Sequence, residues 1–197
     1  MLINALRLRS IELLGIADVD LGKKGQLLFD VPVIGDDEEV MKYPVETICL
    51  VNGVGSVRVN PRRRQLFEHF KSKGYQFANV VHPSAIIATD VVLSEGAQIM
   101  AGAVIQTGCH IGMNAVINTG SILDHDCHIG DHAHIAPGVT LSGGVRVGEN
   151  THVGTGATVI QGIKLGRSSL VAAGAVVIRD VPDGVTVAGV PAKEEIK

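Results

Sequence analysis

The sequence predicts a parallel β-solenoid preceded by a small α/β domain, and three observations carry that prediction. Every sixth residue from Val81 through Ile87, Leu93 and Ile99 to Val171 and Val177 is Val, Ile or Leu, seventeen positions without an exception. Those three types make up 60 of 197 residues, so composition alone would place about five of them there, and a fixed short period is the signature of stacked repeats. Two places before many of these positions sits a small residue, as at Ala85, Ala97, Ala103, Cys109, Ala115, Ser121, Cys127 and Ala133, with Val91 as the larger member. All six aromatic residues (Phe29, Tyr43, Phe67, Phe70, Tyr75 and Phe77) precede position 78.

These observations share one physical cause. Strand side chains alternate in and out, so two inward residues two apart share an interior face. The remaining residues of each hexapeptide form a turn, where Gly112, Gly130, Gly148, Gly154 and Gly166 supply tolerant backbone. Three such sides close an 18-residue coil, and coils stack about 4.8 Å apart as parallel strands. So narrow a prism admits aliphatic and small side chains but not rings. An amphipathic helix would need apolar spacings of three and four, which this stretch lacks.

Residues 1–81 read as a separate domain with alternating helix and strand. Residues 2–10 form a short helix, and Leu13–Asp18 a buried strand ending in an acid. Val31–Gly35 is extended and precedes the acidic turn Asp36–Glu39; Thr47–Asn52 is another apolar strand leading into Gly53-Val54-Gly55. Pro61 suits the first turn of a helix capped by Asn60. That helix turns Leu66, Phe67 and Phe70 inward and ends at Gly74, before a last strand over Gln76–Val81. The alternation implies a small Rossmann-like parallel sheet. The chain starts already inside the first helix, so the first strand and Gly-rich turn of such a sheet are expected to be missing. Residues 82–178 form the solenoid. Residues 179–197 cap its open end, since Pro182 and Pro191 cannot continue a strand ladder.

Composition narrows the function. A net charge of −3 and a pI near 6.2 give no basic field for nucleic acid. No apolar run approaches the ~20 residues that span a bilayer, and Arg7, Arg9 and Glu12 replace the apolar core of a signal peptide. Three cysteines without a framework spacing fit a reducing compartment. A protein of the cytoplasm, without nucleic-acid or membrane partners, is expected.

Seven of the eight histidines lie at or beyond position 82. A period of 18 stacks His110, His128, Arg146 and Lys164 in one column and His134 on His152. It also stacks Cys109 on Cys127 inside the prism, where small-core packing is the reading preferred over a disulfide. His132 reads as a solvated surface residue. Asp124-His125-Asp126 sits at a corner, and an imidazole flanked by carboxylates suits a general base. Zinc-holding solenoids need two histidines five residues apart, and no pair here has that spacing, so no metal is expected.

The hexapeptide run, with Gly154-Thr-Gly156, Val171-Ala-Ala-Gly-Ala-Val-Val177, Asp180-Val-Pro182 and Gly189-Val-Pro-Ala-Lys193, resembles the left-handed β-helix acyltransferases. Val116-Ile-Asn-Thr-Gly-Ser-Ile-Leu-Asp-His-Asp-Cys-His-Ile-Gly130, Asn52-Gly-Val-Gly-Ser56 and Val81-His-Pro-Ser-Ala85 resemble one branch more closely. That branch holds the bacterial nucleotide-amino-sugar N-acetyltransferases and sialic-acid O-acetyltransferase-like proteins. The resemblance supplies the handedness, since parallel crossovers are ordinarily right-handed.

The resemblance also implies a homotrimer with acetyl-CoA lying in the groove between neighbouring β-helices. It places the catalytic base at His125 and the orienting acid at Asp126, where relatives often carry the longer Glu. A second histidine near the acetyl group falls at His134, and the N–H of Gly143 faces the thioester carbonyl as an oxyanion donor. Gly154, Ala172, Ala173 and Gly174 line the pantetheine arm, and Lys193 meets a CoA phosphate. Asp18, Asn52 and Gly53 fall in the nucleotide-sugar pocket, whose first strand and loop precede this chain's start in relatives; sugar-nucleotide binding is accordingly expected to be weakened or lost unless the start is cut or misassigned. The implied activity is acetyl transfer from acetyl-CoA to a UDP-linked 4-amino sugar in bacterial glycan synthesis. O-acetylation of a sialic- or legionaminic-type sugar, or a non-catalytic trimeric scaffold with a decayed sugar site, are the alternatives.

Overall fold

A computed structural model describes residues 1–55 and 61–195. The Asn60 cap and Ser56 lie outside the described residues. From Val80 onward two-residue strands recur every six residues and pair with strands 18 residues away. Every third strand joins the same sheet, so the described chain builds three parallel faces. Face 1 runs from Ile86–Ile87 to Val176–Val177, and face 2 from Val92–Leu93 to Lys164–Leu165. Face 3 starts at Val80–Val81 and reaches Thr186–Ala188. Chain order then defines three corners, here 1–2, 2–3 and 3–1.

The interior follows the ladder. Ile99, Ile105, Ile117, Leu123, Ile135 and Leu141 are fully buried, as are Ala97, Ala103, Cys109, Ala115 and Cys127 two places before. The predicted columns are present in register: His110 pairs with His128, His128 with Arg146, Arg146 with Lys164, and His134 with His152.

The glycines work differently from the expectation. Gly112, Gly130, Gly148, Gly154 and Gly166 do not adopt the left-handed conformation. That task falls to the second residue of the turn, chiefly Gly, but also Asn114, Asp126, His132, Asn150 and Ser168. The five glycines instead let the next coil approach: a Cβ on Gly130 would stand 2.6 Å from the backbone nitrogen of Glu149. Backbone cannot yield as a side-chain tip can. Gly130→Ala is therefore expected to destabilise by about 1–3 kcal/mol, read as a lowered denaturant midpoint at unchanged slope.

Stacking also runs past Pro182. Leu165 bridges Val181 and Leu170 pairs with Thr186, a register of 16 rather than 18, and Val181 and Val187 join the core. Each coil donates N–H groups to the carbonyls of the coil after it, as Gly148 does to Leu165 at 2.7 Å. In the last described coil Pro182 has no N–H to pass the ladder onward. Lys193–Glu194 then folds back antiparallel on Val187–Ala188.

The N-terminal region carries α1 (Leu2–Arg7), β1 (Ile16–Ala17), β2 (Leu27–Leu28), β3 (Val31–Gly35), α2 (Asp37–Val40), β4 (Cys49–Leu50), α3 (Pro61–Ser72) and β5 (Gln76–Phe77). Its small sheet comes in two pieces. β1 is parallel and β2 antiparallel to β3, while β4 and β5 form a parallel pair of their own. The expected buried strand over Leu13–Asp18 shrinks to two residues with Leu14 and Val19 exposed, because β1 is an edge with a partner on one side only. Phe67, Phe70, Tyr75 and Phe77 pack with Val40, and Asp36 caps α2 by accepting from the Glu38 N–H at 3.1 Å.

α3 lies along corner 2–3. Phe67 meets His132 edge-on at 5.5 Å between ring centres, Arg64 pairs with Glu149 at 2.6 Å, and Lys71 with Glu95 at 2.8 Å. No described helix is long and apolar enough to cross a membrane.

Candidate active site

His125 and Asp126 occupy the turn of corner 1–2. Asp126 takes the left-handed position, φ 60°, which Asp tolerates better than most residues. The turn is pinned from both sides: Asp126 N–H donates to Thr107 O at 3.0 Å, and Gly144 N–H donates to His125 O at 2.8 Å. Asp126 Oδ2 stands 2.8 Å from His125 Nδ1. An ionised carboxylate only accepts, so Nδ1 carries the proton and Nε2 presents its lone pair. The shorter Asp reaches the ring because it is the adjacent residue in a tight turn. Asp124 Oδ1 accepts the His125 backbone N–H at 2.8 Å.

The hydrogen bond to Asp126, with the charge of Asp124 adding to it, raises the His125 pKa above the ordinary imidazole value. A base works in its neutral form, so the acid limb of the rate profile should lie above that value. Asp126→Asn removes the chief cause. Its limb is expected to move to lower pH while the plateau rate falls, as measured by kcat/KM between pH 5 and 9.

Two glycines make room for this pair. Gly108, one coil below, has no Cβ where the Asp126 carboxylate rests. Gly143, one coil above, lies against the imidazole: a Cβ there would stand 2.5 Å from Nε2 and 2.6 Å from Cε1. The Gly143 N–H makes no backbone hydrogen bond among the described residues. His125, Asp126 and Gly143 therefore meet in one place, open to solvent at the edge of the prism, with the His125 and Asp126 side chains 49% and 69% exposed.

The remaining predicted residues lie elsewhere. His134 projects from face 3, with Asn118 Nδ2 3.3 Å from its Nε2 and the His152 ring 4.8 Å away. Burial lowers the His152 pKa. Ala172, Ala173 and Gly174 form corner 3–1, with Gly154 packed beneath Ala173. Lys193 sits on the terminal antiparallel strand. A single prism thus carries the His125 group and the His134 group on different sides and does not bring them together.

Asp18 is held at the surface by Lys23 Nζ at 2.8 Å and the Asp20 N–H at 2.9 Å, both lowering its pKa. Gly53 is exposed, with open space where a Cβ would be. Asn52 is buried, and its amide is committed internally: Nδ2 donates to Arg63 O at 2.9 Å and reaches Asn114 Oδ1 at 3.3 Å, while Oδ1 accepts from Val54 N–H at 3.1 Å. It anchors the loop and leaves the loop's outer surface to its neighbours.

Arg63, which sequence reasoning overlooked, holds the same loop. Its guanidinium donates to Asn52 O at 2.8 Å and Val54 O at 2.9 Å, and desolvation lowers its pKa to about 10. No apolar pattern announces such an arginine. Gly108 was legible in principle, because it precedes Asp126 by one full coil.

Comparison with known proteins identifies the family of the chain. Residues 108–143 match the family model of the bacterial transferase hexapeptide (six repeats), and residues 144–179 the hexapeptide repeat of succinyl-transferase. No curated protein matches. Among solved structures, GDP-perosamine N-acetyltransferase from Caulobacter crescentus, in complex with CoA and GDP-perosamine, is 37% identical with a TM-score of 0.92, over 100% of this chain and 91% of that one. The acetyltransferase domain of PglB from Neisseria gonorrhoeae, solved also with acetyl coenzyme A, is 34% identical with a TM-score of 0.87, over 98% and 91%. WeeI from Acinetobacter baumannii is 26% identical with a TM-score of 0.83, over 98% and 92%. With such identity sustained over the whole chain, and with the three-faced hexapeptide prism in common, the protein belongs to the left-handed β-helix acyltransferases of the nucleotide-amino-sugar N-acetyltransferase family.

Proposed function

We propose that the protein transfers the acetyl group of acetyl-CoA to the amine of a nucleotide-linked amino sugar, with His125 as general base. The observation that carries this reading is the imidazole whose Nδ1 is held by Asp126 while Nε2 faces the Gly143 turn. The amine nitrogen attacks the thioester carbonyl, and its proton passes to Nε2. Asp126 stabilises the imidazolium, and the Gly143 N–H donates to the oxyanion as the C–N bond forms. Collapse breaks the C–S bond, and the imidazolium returns the proton to the leaving thiolate, giving the acetamide and free CoA. Aligning amine and thioester supplies much of the remaining acceleration.

The His134 group completes this site from a neighbouring copy of the chain, in a homotrimer. The split of the predicted residues between two sides of the prism supports that reading. So does the outward column of face 1, beside the His125 corner: Ile86, Val104, Ile122, Thr140, Thr158 and Val176 include no charge, and Ile86 and Ile122 are 66% and 44% exposed. Gly154 and Ala172–Gly174 would take the pantetheine arm, Lys193 a CoA phosphate, and Asp18 and Gly53 the nucleotide side. Ile122→Asp is expected to dissociate the trimer by light scattering and to abolish transfer with it. A monomer of undiminished activity would remove the shared-site reading.

The activity is tested by CoA release on a panel of GDP-perosamine, UDP-linked 4-amino sugars and free nonulosonic acids. Turnover of an amino sugar that disappears when its amine is replaced by hydroxyl is the expected result. Turnover confined to the nonulosonic acids would overturn it in favour of O-acetylation.

A further inference from the structure

The two buried cysteines are not spread at random through the core. Each donates its thiol to the carbonyl that opens the turn of the coil above: Cys109 Sγ to Asp124 O at 3.1 Å, and Cys127 Sγ to Ser142 O at 3.3 Å. These are the carbonyls just before His125 and Gly143. At the other two corners the equivalent carbonyl accepts a backbone N–H three residues on, as Gly130 O does from Ala133 at 3.3 Å and Ala136 O from Val139 at 3.4 Å. At corner 1–2, Gln106 O, Asp124 O, Ser142 O and Ile160 O receive no such backbone bond among the described residues, and of these Asp124 O and Ser142 O have a thiol beneath them that donates instead. Along the same interior column the other residues are Val91, Val145 and Ile163, none with a hydrogen to donate, so at this corner the column places side-chain donors only beneath the two turns of the candidate site. At the other corners Ser121 Oγ and Thr151 Oγ1 donate to Ala136 O and Gly166 O.

A peptide unit is planar and trans, so its C=O and N–H point in opposite directions. Drawing Ser142 O into the prism turns the Gly143 N–H outward, to the side where the His125 ring rests. Drawing Asp124 O inward does the same for the His125 N–H, which meets Asp124 Oδ1. We infer that Cys127 is a positioning residue for acyl transfer: its thiol, through the Ser142 carbonyl, aims the Gly143 N–H at the thioester oxygen, with Cys109 acting likewise on the His125 turn. The inference rests on the proposed role of Gly143.

The test compares Cys127→Val with Cys127→Ser in the full chain. Valine removes the donor and fills the volume, as Val145 does one coil above. Serine restores a donor, as Ser121 Oγ does to Ala136 O at 3.0 Å. With the amino-sugar acceptor found above, Cys127→Val should lower kcat about ten-fold, a fraction of the loss for deleting an oxyanion donor outright, with KM for acetyl-CoA little changed. Cys127→Ser should recover most of it. Calorimetry needs no acceptor: Cys127→Val should lose the preference for acetyl-CoA over CoA that contact with the acetyl carbonyl confers, and Cys127→Ser should keep it. Unchanged kcat and unchanged preference in Cys127→Val, beside an inactive His125→Ala, overturn the positioning role alone. Full activity in His125→Ala as well overturns the reading of the site, and the inference with it.

Discussion

His125→Ala is expected to lower kcat by about 10²- to 10⁴-fold, the range for loss of a positioned general base, equivalent to roughly 3–5 kcal/mol of transition-state stabilisation. The fold should not notice. The imidazole lies on the outside of corner 1–2, while the turn is held by Asp126 N–H to Thr107 O and Gly144 N–H to His125 O, both backbone bonds that alanine retains. Thermal midpoint, oligomeric state and acetyl-CoA affinity should therefore match the wild type, with the loss confined to kcat. His125→Ala transferring acetyl at the wild-type rate would remove the general-base assignment.

Gly143→Ala is the second large effect, and it isolates geometry from chemistry. Every titratable group remains, but the new methyl occupies the space of Nε2 and Cε1. The ring must swing away, and its bond to Asp126 Oδ2 breaks or lengthens. A loss of about 10²-fold in kcat is expected, of the size that misplacing a reacting group by an ångström brings. The adjacent Gly144 provides the contrast. It adopts φ 68° with nothing in the way of a Cβ, so Gly144→Ala should cost about 1–2 kcal/mol of stability through backbone strain and leave kcat nearly intact. Activity and melting curves on the two variants separate the effects; equal catalytic losses in both would refute the steric account of Gly143.

How much of this was legible depended on the range of the interaction. The ladder was readable because a stacked coil repeats its own environment, so one spacing rule covers Ile99, Ile117 and Ile135 alike. His125 and Asp126 were readable because they are neighbours in sequence; Gly143 entered through the resemblance, and the 18-residue coil accounts for its place against the ring. The N-terminal sheet was less so: paired segments two residues long, such as β4 and β5, give alternation too little chain to act on. Resemblance assigns Asn52 to the sugar pocket, yet its amide is turned to Arg63 and Asn114, contacts separated by 11 and 62 residues. The five glycines were identified by type but not by task, since close approach of Gly130 to Glu149 is invisible until the coils are stacked.

The prism also makes residue number into an angle. Six residues are one-third of a turn and eighteen are a full one, so hydrophobic fit and chemical alignment obey different moduli. Six residues inserted between His125 and Gly143 would keep every later aliphatic residue pointing inward, yet would carry Gly143 round to corner 2–3, away from the imidazole. Eighteen residues inserted at the same point would keep the corner but separate the pair by an extra coil. The same eighteen inserted after Gly162 would leave both untouched. Changes of length in such a protein can thus be silent to folding and decisive for catalysis, and the remainder on division by eighteen, together with the place of insertion, tells which.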